Sequence, residues 1–118
     1  MLNLKTHTLN KMNSITDIWD GENEAHAGII AVDDKYSNIK LSYGEFNTIF
    51  HNFAAGLQFL GLEKDEHVAL FSENSAKWLI ADQAILKSGA VDVVRGSQAP
   101  VSELGYILNH SDSCALIC

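Results

Sequence analysis

The chain has 118 residues, 47% of them hydrophobic, with eight basic against fifteen acidic side chains and a formal charge of −7. A chain of this length buries roughly 65% of the surface its unfolded form exposes, enough for one modest core. Its apolar share argues against wholesale disorder. The acidic balance disfavours a nucleic-acid-binding surface, which needs clustered Lys and Arg, and no apolar run approaches the ~20 residues of a membrane-spanning helix.

The opening "MLNLKTHTLNKMNSIT" carries no acid before Asp17. It lacks the continuous apolar centre of a secretory signal and the arginines of a transit peptide. Residues 1–13 therefore read as a flexible tail, with weak contact to an anionic membrane surface as the alternative, and residues 14–118 as folded domain. A short helix is expected from Ser14 to about Asn23, Ser14 capping it and Asp17 suiting its dipole. "GIIAVDD" and "IKLSY" are β-rich runs joined by Lys35–Asn38, a hairpin.

Ser42-Tyr43-Gly44-Glu45 has the form of a capping box. Phe46, Ile49, Phe50, Phe53, Ala54, Leu57 and Leu60 follow at helical spacing as one apolar stripe. Gly61 supplies a left-handed terminator, with Leu62 placed to pack back on Leu57. "HVALF" is apolar almost throughout, as a strand buried on both faces is. A helix from about Ser75 to Ser88 ends at Gly89, and "AVDVV" is a second strand. Strand, helix and strand make a βαβ crossover with parallel pairing. Val101, Leu104, Ile107 and Leu108 mark a helix behind Pro100, and "CALIC" is a third strand.

The fold class is therefore α/β, a hairpin followed by a βαβαβ parallel unit. Parallel sheets are covered by helices on both faces, and the helices here are few for the strands, so the chain reads like the first portion of a larger domain. Cys114 and Cys118, four apart on a strand, sit ~13 Å from each other. That spacing suits neither a disulfide nor a metal clip. They read as reduced core residues of a cytosolic protein.

Ser72-Glu73-Asn74-Ser75 lies where a parallel strand feeds a helix, a common place for anions. It has no glycine to wrap a phosphate, and Glu73 would repel one. A helix cap by Asn74 or Ser75 is the plainer reading. Arg95-Gly96-Ser97 occupies the equivalent place after the second strand. Arg95 is the candidate substrate-binding residue, able to clamp a carboxylate or phosphate; the structural alternative is an ion pair, for example with Glu73. Asp82 falls among Trp78, Ile85 and Leu86, inside the apolar arc of its helix, where a carboxylate needs partners or a raised pKa. The five histidines share no metal-ligand spacing. His110-Ser111-Asp112, three adjacent residues, is a helix C-terminus and not a triad. Trp78 and the phenylalanines read as core.

The run "LSYGEFNTIFHNFAAGLQFLGLEKDEHVALFSENSAKWLIADQAILKSGAVDVV", followed by "ELGYILNHSDSCALI", resembles the N-terminal region of the AMP-forming acyl-activating enzymes, the adenylate-forming superfamily. The likeness runs from about Ile15 to Cys118 and includes Ile18-Trp19 before the first hairpin. "VVRGSQAP" departs from the Val-Pro-type turn of most relatives. It looks like the long-chain fatty acid ligases of cyanobacteria and chloroplasts that load acyl carrier protein as well as, or instead of, coenzyme A.

The resemblance implies, for the full-length family, activation of a fatty acid with ATP and Mg2+ through an acyl-adenylate, then transfer to coenzyme A or acyl carrier protein. The family's phosphate loop, aromatic-Thr-Glu segment, ribose aspartate and C-terminal lysine have no counterpart in these residues. No catalytic residue is carried over, no metal site is expected, and the chain alone is expected to bind no cofactor and to be inactive. A non-catalytic module pairing with a separately encoded remainder of the enzyme is the alternative. The expected location is cytoplasmic, with peripheral membrane contact as the variant.

Overall fold

The computed structural model describes residues 13–19 and 26–118. All of the expected tail but Asn13, and the far end of the expected first helix, lie outside the described residues. What is described of that helix is a single 3-10 turn, Ile15–Trp19. Asp17 Oδ2 accepts the amides of Asn13 at 2.7 Å and Ser14 at 3.0 Å. Ser14 Oγ in turn accepts the Thr16 amide at 3.2 Å, so Ser14 caps the turn as expected and Asp17 adds to it.

The hairpin forms as expected: β1 (Ile30–Asp34) pairs antiparallel with β2 (Ile39–Ser42). Asp34 holds its turn, Oδ1 accepting the Tyr36 amide at 3.0 Å and the Ser37 amide at 3.2 Å. Helix α1 (Tyr43–Phe59) starts with the full capping box, Ser42 Oγ accepting the Glu45 amide and Glu45 accepting the Ser42 amide. It ends in a Schellman motif: the Leu62 amide donates to Leu57 O at 3.1 Å and the Gly61 amide to Gln58 O at 3.0 Å. Gly61 adopts φ 102°, a conformation that side chains resist.

The apolar stripe of α1 is narrower than its spacing suggests. Phe46, Phe50 and Ala54 are buried, but Ile49 is 39% exposed and Leu60 82% exposed. Leu60 is the C-cap, where the chain turns away from the core.

Strand β3 (His67–Phe71), helix α2 (Ala76–Lys87) and strand β4 (Val91–Arg95) make the expected crossover, and β3 pairs in parallel with both β4 and β5 (Ala115–Ile117). The order is β4-β3-β5. Central position explains the uniform burial of Val68, Ala69, Leu70 and Phe71. Helix α3 (Val101–His110) links β4 to β5, and Ser111 is its C-cap, so His110-Ser111-Asp112 is a helix end.

The core has two connected parts. Val68 and Leu70 pack on Ala81, Ile85 and Ala90 between sheet and α2; Phe46, Phe50 and Ala54 pack on Ala84 between α1 and α2. Trp19 meets the second part, 5.1 Å from Phe46 edge to face. The cysteines stand outside this core: both are exposed thiols, contrary to the expectation of burial. They flank a three-residue strand that is bonded on one side only, so their side chains meet solvent.

Candidate functional site

The C-terminal ends of β3 and β4 border a cleft of about 470 Å3 lined by Ser72, Glu73, Asn74, Trp78, Val94, Arg95 and Gly96. The two segments singled out in the sequence are therefore neighbours. Parallel register sets this, pairing Phe71 with Arg95 at the strand ends. Trp78 lines the cleft and is only partly buried, so it is a wall as well as a core residue.

Two of the amides that open α2 are taken by side chains of the chain itself. Ser75 Oγ accepts the Trp78 amide at 3.1 Å, and Asp34 Oδ2 accepts the Ala76 amide at 2.9 Å. Ser75 is thus the N-cap, and Asn74 is not. The Ala76 amide is the largest cause, with Ser37 next, that holds the Asp34 carboxyl low, at about 2. A carboxylate reaching from a hairpin turn fills the place where an anion would bind a helix N-terminus. Sequence reasoning missed this bond because its partners lie far apart in the chain. The only local signal was an aspartate at the first corner of a turn.

Around Arg95 the charge is negative on balance. Its Nε donates to Glu103 Oε1 at 2.7 Å, with both side chains partly exposed. The hydrogen bond and charge of Glu103 raise the guanidinium's pKa, and Glu73 adds a smaller contribution. The ion partner is Glu103 of α3, not the Glu73 suggested as an example. Glu73 Oε1 instead accepts Ser97 Oγ at 3.0 Å and the Gln98 amide at 3.3 Å. A Cβ on Gly96 would lie 3.3 Å from that same oxygen. Gly96 therefore makes room for one of the chain's own carboxylates.

Asp82 lies apart from this cleft and is half-buried. Its Oδ2 accepts Gln83 Nε2 at 2.7 Å, and Gln83 Oε1 accepts Trp19 Nε1 at 2.6 Å. Opposite it stands Asp92 of β4, whose carboxyl is pushed up to about 7 by burial first and by Asp82 second. Asp92 was not singled out from the sequence. The signal was present: it pairs in register with Val68, so it shares the sheet face that α2 covers.

Among the described residues, no group of three or more His, Cys, Asp or Glu could hold a metal ion. No helix among the described residues is long and apolar enough to cross a membrane.

Residues 20–118 match the AMP-binding enzyme family. The chain belongs to that family. It is 42% identical over 106 residues to the Arabidopsis thaliana chloroplastic long-chain-fatty-acid–[acyl-carrier-protein] ligase AEE15, covering 88% of this chain and 15% of that protein. It is 41% identical over 110 residues to the probable acyl-activating enzyme 16, chloroplastic, of the same plant, covering 92% of this chain and 15% of that one. Among solved structures, the Klebsiella oxytoca NpsA N-terminal subdomain superimposes with a TM-score of 0.80 at 29% identity, over 90% of this chain and 27% of that one. The mixed α/β fold and the family's N-terminal region, both expected from the sequence, are as found. The chain spans about 15% of the length of these two curated relatives.

Proposed function

We propose that this chain forms the opening part of a long-chain fatty acid ligase, residues 14–118 contributing to its N-terminal subdomain. That enzyme activates a fatty acid with ATP and Mg2+ through an acyl-adenylate and passes the acyl group to coenzyme A or acyl carrier protein. The observation that carries the reading is the 42% identity to a long-chain-fatty-acid–[acyl-carrier-protein] ligase. In this proposal the chain is a wall of the active centre, without catalytic power of its own. The Ala76 and Trp78 amides of α2 are occupied by Asp34 and Ser75, and adenylyl chemistry depends on charges positioned at the phosphates. The reading includes a cytoplasmic location, with peripheral membrane contact as the variant.

Arg95 is the residue proposed to face substrate. It lines the cleft and its hydrogen bond to Glu103 uses Nε. A separately encoded partner is the second reading. It is favoured by α3, which has no buried residue, and by Leu116 of the edge strand, 46% exposed.

The chain alone is expected to show no ATP–pyrophosphate exchange with palmitate and magnesium; exchange above a heat-killed control overturns the inactive-wall reading. A chimaera in which this chain replaces the matching segment of the plant ligase is expected to form acyl-acyl carrier protein. A folded but inactive chimaera overturns the ligase reading. Arg95→Ala in the active chimaera is expected to lower kcat/KM about tenfold, about 1.4 kcal/mol, and unchanged kinetics remove Arg95 from the site. Co-purification with a separately produced remainder, and a higher Tm in its presence, favours the second reading.

A further inference from the structure

Both carboxyl oxygens of Asp92 are sealed from solvent, and neither receives an N–H or O–H donor. The Val93 amide lies near enough to lower the carboxyl's pKa slightly but is outside hydrogen-bond geometry. What Asp92 faces is the carboxyl of Asp82. Two ionised carboxylates in that position repel and have no hydrogen between them. One proton converts the same contact into a charge-assisted O–H···O⁻ bond.

Among the described residues, no cation acts on Asp92. Asp82 of α2 is the charge that acts on Asp92. By register, β3 presents Val68 and Leu70 to this face, and β4 itself presents Val94. His67 and Arg95 lie on the opposite face, where His67 Nδ1–H donates to the Ser111 carbonyl and Arg95 is held by Glu103. Lys87 of α2 acts on Asp17 of the 3-10 turn. Tyr43 meets Trp19 directly, 6.1 Å ring to ring, and His51 of α1 lies one ring further away, 4.5 Å from Phe50.

We propose that Asp82 and Asp92 share one proton, and that its release is a pH-sensitive latch acting through Gln83 on the Trp19 turn. The relay is continuous: Asp92 to Asp82, Asp82 to Gln83, Gln83 to Trp19. With the proton present, Asp82 holds the Gln83 amide and the amide oxygen holds the Trp19 indole. When the proton leaves to solvent, the carboxylates separate. Gln83, buried between them and Trp19, loses the geometry that serves both bonds.

Folding feels the same proton. The folded-state value of about 7 stands above the ordinary 3.8, so the folded state keeps its proton longer than the unfolded chain. Stability therefore falls as pH rises from about 4 to about 7 and levels off above that. Asp92→Asn removes this dependence, and its amide donates to Asp82.

The test follows the Trp19 indole N–H by NMR from pH 5 to 9. Trp78→Phe identifies the signal, since the chain has two tryptophans. The expected result is a one-proton transition with a midpoint near 7, absent in Asp92→Asn. In Asp82→Asn the midpoint is expected to move down by about one pH unit or more, because a neutral donor replaces a like charge. No transition in the parent chain overturns the proposal. So does a transition that persists in Asp92→Asn, or a midpoint that Asp82→Asn leaves in place.

Discussion

Helices α2 and α3 are both connections between parallel strands, yet they end in different states. Helix α2 buries Ala76, Ala81, Gln83, Ala84 and Ile85. Helix α3 segregates its apolar residues more sharply, yet it buries none and leaves Val101 86% and Tyr106 64% exposed. Amphipathic spacing states which face a helix offers; burial requires a neighbour to receive it. Helix α2 has such neighbours on two sides, the sheet and α1.

The sharpest way to break this contrast is to empty the well-received side. Phe50 is fully buried between α1 and α2. Phe50→Ala is expected to cost about 3–5 kcal/mol in urea unfolding, through lost transfer energy and the cavity left behind. A loss below about 1 kcal/mol would show that this layer is no better packed than α3.

A smaller effect tests the start of α2. Ser75→Ala is expected to cost about 1 kcal/mol by thermal or urea unfolding. Asp34→Asn tests the second cap through pH. The Asp34 carboxyl is held low, at about 2, against an ordinary 3.8. Its contribution is present above the ordinary value and is lost as pH falls towards 2. The variant is therefore expected to lose stability at neutral pH and to show a flatter acid limb between about 4 and 2. An unchanged acid limb would remove Asp34 from the cap.

The smallest effect belongs to the unreceived side. Tyr106→Ser is expected to change stability by no more than about 0.5 kcal/mol, as solvent-facing substitutions do. The aromatic ring stacks on His110 within its own helix, 5.3 Å away. A large loss would mean that α3 carries more of the fold than its exposure indicates.

Local signals were readable, and tertiary ones were not. The capping box at Ser42 and Glu45, the Gly61 terminator and the switch from apolar strand to helix each depend on residues a few positions apart. Spacing alone therefore revealed them. The strand order β4-β3-β5 and the bond from Asp34 to the Ala76 amide depend on which distant segments meet. The cysteines were misplaced because "CALIC" has the composition of a core strand but an edge strand's neighbours. Asp82 drew notice as an acid within an apolar arc. Its partner escaped because one acid in a short strand looks like ordinary alternation until register shows where it points.

The carboxylate that Asp34 carries to α2 also bears on competition. A group tethered in the folded chain acts at an effective concentration of roughly millimolar or more. A free anion reaching for the positive end of α2 must displace this resident, which is already satisfied by hydrogen bonds from Tyr36 and Ser37. The Ala76 amide is thus blocked by a resident carboxylate, and a motion of the hairpin turn would uncover it.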